Sequence, residues 1–100
     1  MKPRFLTVGE SEVVKTTKAA AEKAGFIHRK VVYQGRRGAP DDWFFGFNGR
    51  LIIIEHKRPG KKPDLHQERE IARLRERGFD VRLVDSLEKA RRVFRGEHLL

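Results

Sequence analysis

Apolar positions recur first at helical and then at strand spacing. From Glu10 to Ala24, ESEVVKTTKAAAEKA is rich in helix formers and brings Glu10, Val13 or Val14, Thr17, Ala20 or Ala21 and Ala24 onto one face. The spacing predicts a helix that Gly25 stops. FIHRKVVY alternates loosely and is rich in β-branched and aromatic residues, which predicts a strand. QGRRGAPD then breaks regular structure. DDWFFGF and RLIIIEHK flank Asn48 and Gly49, a strong hairpin signal, and both arms carry apolar residues at odd and even positions. Both faces of the hairpin should therefore be covered. After the basic turn RPGKKP, Asp64 can cap a helix through LHQEREIARLRER that Gly78 ends. FDVRLV predicts a short strand, and DSLEKARRVFR a last helix capped by Asp85 or Ser86. The order α, β, β, β, α, β, α is a mixed α/β fold that we read as one domain over residues 1–100, with only the tail GEHLL dispensable.

Charge narrows the partner. Lys and Arg total 23 against 14 Asp and Glu, a formal net charge of +9. This points to a polyanion, with nucleic acid the first candidate. WFFGF and LIIIE are far too short to span a bilayer. MKPRFLTVGESE lacks the long apolar stretch and small-residue cleavage site of a signal peptide. With no cysteine, disulfides and thiolate metal sites are removed, so any metal is expected on oxygen or imidazole, and a cytoplasmic location fits.

The chemistry concentrates in LIIIEHKRPG. A run of aliphatic residues typical of a buried strand ends in Glu55, His56 and Lys57, and an ionised group there is costly unless paired or metal-bound. Strand alternation puts Glu55 and Lys57 on one side, with Cα atoms roughly 6.5–7 Å apart, and His56 on the other. The hairpin brings a second acid. A two-residue turn at Asn48 and Gly49 sets Asp42 opposite Glu55. A three-residue turn with Gly49 left-handed instead pairs Gly46 with Arg50, Trp43 with Ile53 and Asp41 with Glu55. Either register gives a carboxylate pair beside a lysine, and the residues alone leave the choice open. Such a set matches what metal-assisted phosphodiester hydrolysis requires: oxygen ligands for Mg²⁺ or Mn²⁺, and an ammonium to orient water or stabilise developing charge.

GAPDDWFFGFNGRLIIIEHKRPGKKPDLHQ resembles the VRR-NUC branch of the PD-(D/E)xK nucleases, whose pattern is Gly-x-Pro-Asp, a short hairpin, Glu-x-Lys, a basic Gly-containing turn and a downstream Gln. The resemblance spans roughly residues 10 to 95 and implies a restriction-endonuclease-like αβββαβ core with a C-terminal helix. It implies that Asp41 and Glu55 are metal carboxylates, that Lys57 is the catalytic lysine, and that His56 offers its backbone carbonyl to the metal. Asp41 in that role favours the three-residue turn. The family also places a glutamate of the first helix near the metal. Glu10 is preferred to Glu12 because it shares the inward face of Val13 and Thr17. Gln67, on the face of Ile71 and Leu74, is implied to lie near the metal water or Lys57. Arg36, Arg37, Arg58, Lys61 and Lys62 flank the site in two loops as candidate phosphate contacts. Stand-alone members resemble Holliday junction resolvases, which act as homodimers on branched DNA such as four-way junctions. Many are carried by phages, so the expected setting is the cytoplasm of a bacterium or a phage-infected host.

Each of these residues has a plainer explanation. Asp41 could begin a turn, Asp42 could be solvated, and Glu55 could pair with Lys57 or Arg58. Gln67 sits where a capping box from Asp64 would want it, and Glu10 could be an ordinary first-turn acid. His28, His56, His66 and His98 show no metal spacing and read as surface residues. Arg69, Arg73 and Arg77, with Glu68, Glu70 and Glu76 nearby, read as a solvated helical face. Trp43, Phe44, Phe45 and Phe47 read as core or interface. The rival functions are a flap or other endonuclease on the same core, a non-catalytic basic nucleic-acid-binding module, and an interaction protein that blocks a partner enzyme.

Overall fold

A computed structural model describes residues 8–97. The elements are α1 (Glu10–Lys23), β1 (Ile27–Lys30), β2 (Asp42–Phe45), β3 (Leu51–His56), α2 (Leu65–Glu76), β4 (Asp80–Val84) and α3 (Leu87–Arg92). They follow the predicted order. The sheet runs β1-β2-β3-β4, antiparallel except for the β3–β4 pair. α2 makes the crossover between those two parallel strands, as such a connection requires.

β3 is central, and its aliphatic run is buried on both faces. Ile52 and Ile54 pack with Val13, Ala21, Phe44, Val84, Ala90 and Phe94, the layer that α1 and α3 cover. Ile53 turns the other way, onto Ile71 and Val81 with Trp43, Leu51 and Leu74 beside them, the layer that α2 covers. The sheet is thus sandwiched between helices, which is why LIII shows no polar alternation.

The hairpin takes the three-residue form. Phe47–Gly49 make a tight 3-10 turn, Gly46 N–H donates to Arg50 O at 2.7 Å, and Trp43 pairs with Ile53 and Phe45 with Leu51. Asn48 and Gly49 both have positive φ, 58° and 76°, which explains why this dipeptide stands at the turn.

Two boundaries differ from expectation. β1 spans four residues rather than eight, because after Val31 N–H donates to Asp41 O the chain leaves the sheet and Val32 is exposed. α3 is also shorter, with Ser86 as its cap, accepting from Lys89 N–H at 3.1 Å. Within the tail, the Glu97 carboxylate accepts from Arg50 Nε at 2.8 Å and ties the C-terminal turn to the hairpin. His98, Leu99 and Leu100 lie outside the described residues.

The loop that carries Arg36 and Arg37 is docked onto α2. A Cβ on Gly38 would lie 2.7 Å from the backbone carbon of His66 and 2.8 Å from the nitrogen of Gln67, and its φ is +77°. Gly35, with φ +71°, faces open space. Gly38→Ala should therefore cost about 2–3 kcal/mol in urea unfolding, and Gly35→Ala only about 1 kcal/mol. Equal costs would show that the close approach to α2 is not what Gly38 serves.

Candidate active site

Continuing the β2–β3 register one step past Asp42 and Ile54 places Asp41 across from Glu55. Alternation along β3 turns Glu55 toward the α2 side, the side of Ile53. Around these two acids lies a polar cavity of about 160 Å³, lined by Glu10, Lys30, Ala39, Asp41, Asp42, Glu55, His56, Lys57 and Gln67. Five of the residues singled out in the sequence, Glu10, Asp41, Glu55, Lys57 and Gln67, meet there. They come from four parts of the chain: Glu10 from the first turn of α1, Asp41 from the lead into β2, Glu55 and Lys57 from the end of β3 and just beyond it, and Gln67 from the first turn of α2.

Glu55 is the anomaly. It is buried, at 6% exposure, and its Oε1 has no hydrogen-bond partner among the described residues. Its carboxyl is pushed up from 4.5 to about 7. Burial contributes most, the Lys57 ammonium pulls the other way, and Asp41, Glu10 and Asp42 add repulsion. A buried, unpartnered acceptor on a residue that lines a cavity with other carboxylates is what a hard divalent cation would complete. Asp41 and Glu55 are the oxygen donors such an ion would find first, with Glu10 on the cavity wall. No group of three or more acidic or imidazole side chains forms a ready-made cage among the described residues.

Gln67 has both of its anticipated placements. Its side chain accepts from Asp64 N–H while its own N–H donates to Asp64 Oδ1, both at 2.9 Å, in a complete capping box, and the residue also borders the cavity. Glu10 lies on the cavity wall, one turn before buried Val13 and two before buried Thr17. Glu12 does not border the cavity.

Two expectations are overturned behind the site. Asp42 is not solvated; it is 2% exposed, and His56 is 3% exposed rather than a surface histidine. On the α1 side of β3, His56 Nδ1 donates to Asp42 Oδ2 at 2.7 Å, and His56 Nε2 lies 2.9 Å from Thr17 Oγ1. His28 Nε2 donates to Asp42 Oδ1 at 2.8 Å. Burial by itself would raise the Asp42 carboxyl. The hydrogen bonds from His56 and His28, with the charges of His56 and Lys30, outweigh it and hold the group down to about 2. The hydroxyl of Thr17 also donates to Val13 O at 3.0 Å, closing a polar chain from α1 to β1 through the core. Loose alternation in FIHRK and an apparently polar DD pair concealed this network. The signal that could have found it was His56 itself, placed by alternation on the face that carries Ile52 and Ile54.

Lys30 was also missed. From the end of β1 its Nζ sits 3.2 Å from Asp41 Oδ2 and 3.5 Å from Asp42 Oδ1. Burial lowers its pKa, but the hydrogen bond it donates to Asp41 and the charges of both acids win, and the net shift is upward. All five candidate phosphate contacts, Arg36, Arg37, Arg58, Lys61 and Lys62, are exposed, and Arg36 also pairs with Glu70 at 3.4 Å. Glu70 is buried at 5% exposure and shared with Arg73, so this part of α2 is not a simple solvated face.

A helix-flanked mixed sheet that gathers an Asp, a Glu and a Lys in one polar cavity has the architecture of the PD-(D/E)xK class. No family model matches the chain. The phage protein "Putative nuclease p44" of Acyrthosiphon pisum secondary endosymbiont phage 1 is 40% identical over 79 residues, covering 79% of this chain and 85% of that protein. A solved structure described as "VRR_NUC domain" superposes with a TM-score of 0.80 at 36% identity, covering 89% of this chain and 97% of that one. The chain belongs to the VRR-NUC family.

Proposed function

We propose that this protein is a divalent-metal-dependent endonuclease that hydrolyses DNA phosphodiesters. On this reading it acts as a homodimer on branched DNA of the four-way-junction kind, in the cytoplasm of a bacterium or its phage-infected state. The observation that carries the reading is buried Glu55, whose Oε1 has no hydrogen-bond partner among the described residues, lining one cavity with Asp41 and Lys57 in a chain of net charge +9. Among the described residues no helix is long and apolar enough to cross a membrane.

Asp41, Glu55 and the His56 carbonyl would hold Mg²⁺ or Mn²⁺, with Glu10 at the rim. When bound, the cation supplies Lewis acidity toward a phosphate oxygen and makes a water more acidic. The chain's own part is placement. Glu55 sits within β3 and Asp41 immediately precedes β2, its carbonyl accepting from Val31 N–H at 2.8 Å, so both acids are placed by the sheet. Lys57 follows directly on β3, where its N–H donates to Val84 O at 3.1 Å; its ammonium can orient the attacking water or neutralise charge on the phosphate. Gln67, held by the capping box, borders the same space. Arg37, Arg58, Lys61 and Lys62 would engage flanking phosphates, with Arg36 aimed by Glu70. A two-fold dimer would present two such cavities to opposed strands of a junction.

The test is cleavage of labelled four-way junction, 5′ flap, 3′ flap, linear duplex and single-stranded DNA with Mg²⁺, Mn²⁺ or EDTA, for wild type, Glu55→Ala and Lys57→Ala. Cutting should require metal, favour the junction, and fall at least about 10³-fold in both variants. A preference for flaps would keep the nuclease and refute the resolvase specificity. Tight binding without cutting, equal in all three proteins, would leave a binding module instead.

A further inference from the structure

Asp41 and Asp42 are adjacent but point to opposite faces of β2, and Lys30 reaches both. Asp42 has little need of it, since His28 and His56 already occupy its two oxygens. Asp41 differs: among the described residues, Lys30 is the cation its carboxylate is paired with. Both side chains of that pair are substantially exposed, 61% for Lys30 and 44% for Asp41, so the ammonium is free to leave along a flexible stem. It also lines the cavity with Glu55 and Lys57, which puts it where a phosphate would approach.

Resting on the metal-site reading above, we propose that Lys30 is a resident counter-cation of Asp41 that a divalent ion displaces, and that the freed ammonium then contacts the phosphate of bound DNA. The physical reason is competition. An ammonium and a divalent ion at one carboxylate repel each other across a few ångströms, and the ion with two charges and several oxygen partners prevails. Once displaced, the lysine keeps only the longer 3.5 Å contact to Asp42 Oδ1, an oxygen already bonded to His28, and bound DNA offers it the phosphate backbone as a stronger acceptor. Lys30 is on this account a positioning residue in the metal-free protein and a phosphate contact in the complex.

Mn²⁺ binding to the full chain without DNA, measured by calorimetry at low ionic strength, tests the first half. Lys30→Met should tighten Mn²⁺ about five- to tenfold, because no cation has to be displaced. Arg29→Met removes the same charge one residue away on the same strand, outside the cavity, and should change the affinity less than about twofold. With Mn²⁺ saturating, Lys30→Met should raise KM for junction DNA about fivefold or more while kcat moves less, and Lys30→Arg should restore most of it. Unchanged or weaker Mn²⁺ binding in Lys30→Met overturns the displacement. An equal gain in Arg29→Met also overturns it, since a general field then explains the effect. An unchanged KM removes the phosphate contact. Absence of Mn²⁺ binding by wild type, with Glu55→Gln behaving identically, refutes the metal site itself and is thereby distinguished from failure of the Lys30 proposal alone.

Discussion

Glu55→Gln is expected to make the metal-free protein more stable at pH 8 by roughly 3 kcal/mol, and to leave its stability at pH 4 nearly unchanged. The folded-state carboxyl titrates at about 7 against an ordinary 4.5, with burial the main cause. A group raised in the fold contributes fully below its unfolded value and loses that contribution as pH rises through its folded one. Wild type should therefore lose stability between about pH 4.5 and pH 8, while the glutamine variant, which carries no charge to desolvate, should not. Urea unfolding of both proteins in EDTA at pH 4, 6 and 8 measures this. Parallel pH profiles would mean that Glu55 is better solvated than its burial indicates. Adding Mn²⁺ at pH 8 should recover the loss in wild type alone, because metal binding stabilises the ionised form. The same substitution should abolish cleavage, so a more stable protein would be an inactive one. That trade is expected where an acid is kept in a costly place for chemistry rather than for folding.

The second large effect comes from the neighbouring aspartates. Asp42→Ala should cost about 3–5 kcal/mol at pH 7, because it leaves two imidazole N–H groups and the hydroxyl chain behind them without their charged acceptor. Asp41→Ala should cost less than about 1 kcal/mol, since it loses only an exposed pair with Lys30, yet it should remove cleavage. Asp42 has the opposite linkage to Glu55. Its carboxyl is held down to about 2 from 3.8, so its contribution of roughly 2 kcal/mol is present above pH 3.8 and lost as pH falls through about 2. Guanidinium unfolding of the two alanine variants at pH 7, and acid unfolding of wild type against Asp42→Asn, check the assignment. Similar stability losses in both alanine variants would contradict the separation of one structural and one chemical aspartate.

Periodicity and turn chemistry determined a good deal of this protein. The element order, the two-sided burial of LIII, the Asp64 cap and the stop at Gly78 are local consequences of side-chain shape, and each is legible residue by residue. The pairing of Glu55 with Lys57 on one face also follows from strand geometry alone. The residues by themselves stopped at the choice between Asp41 and Asp42, because an Asn-Gly turn tolerates two loop lengths whose registers both pack acceptably. The tertiary structure decided it. Asp42 is drawn into the core because His28 on β1 and His56 on β3 flank it there, and with that face taken Asp41 is left to the cavity. Thr17 and Lys30 entered the picture for the same reason: their partners are 39 residues away for Thr17 and His56, and 12 for Lys30 and Asp42. Hydrogen bonds over such separations leave no periodic trace in a sequence. They exist only once the strands are paired and α1 is laid across them.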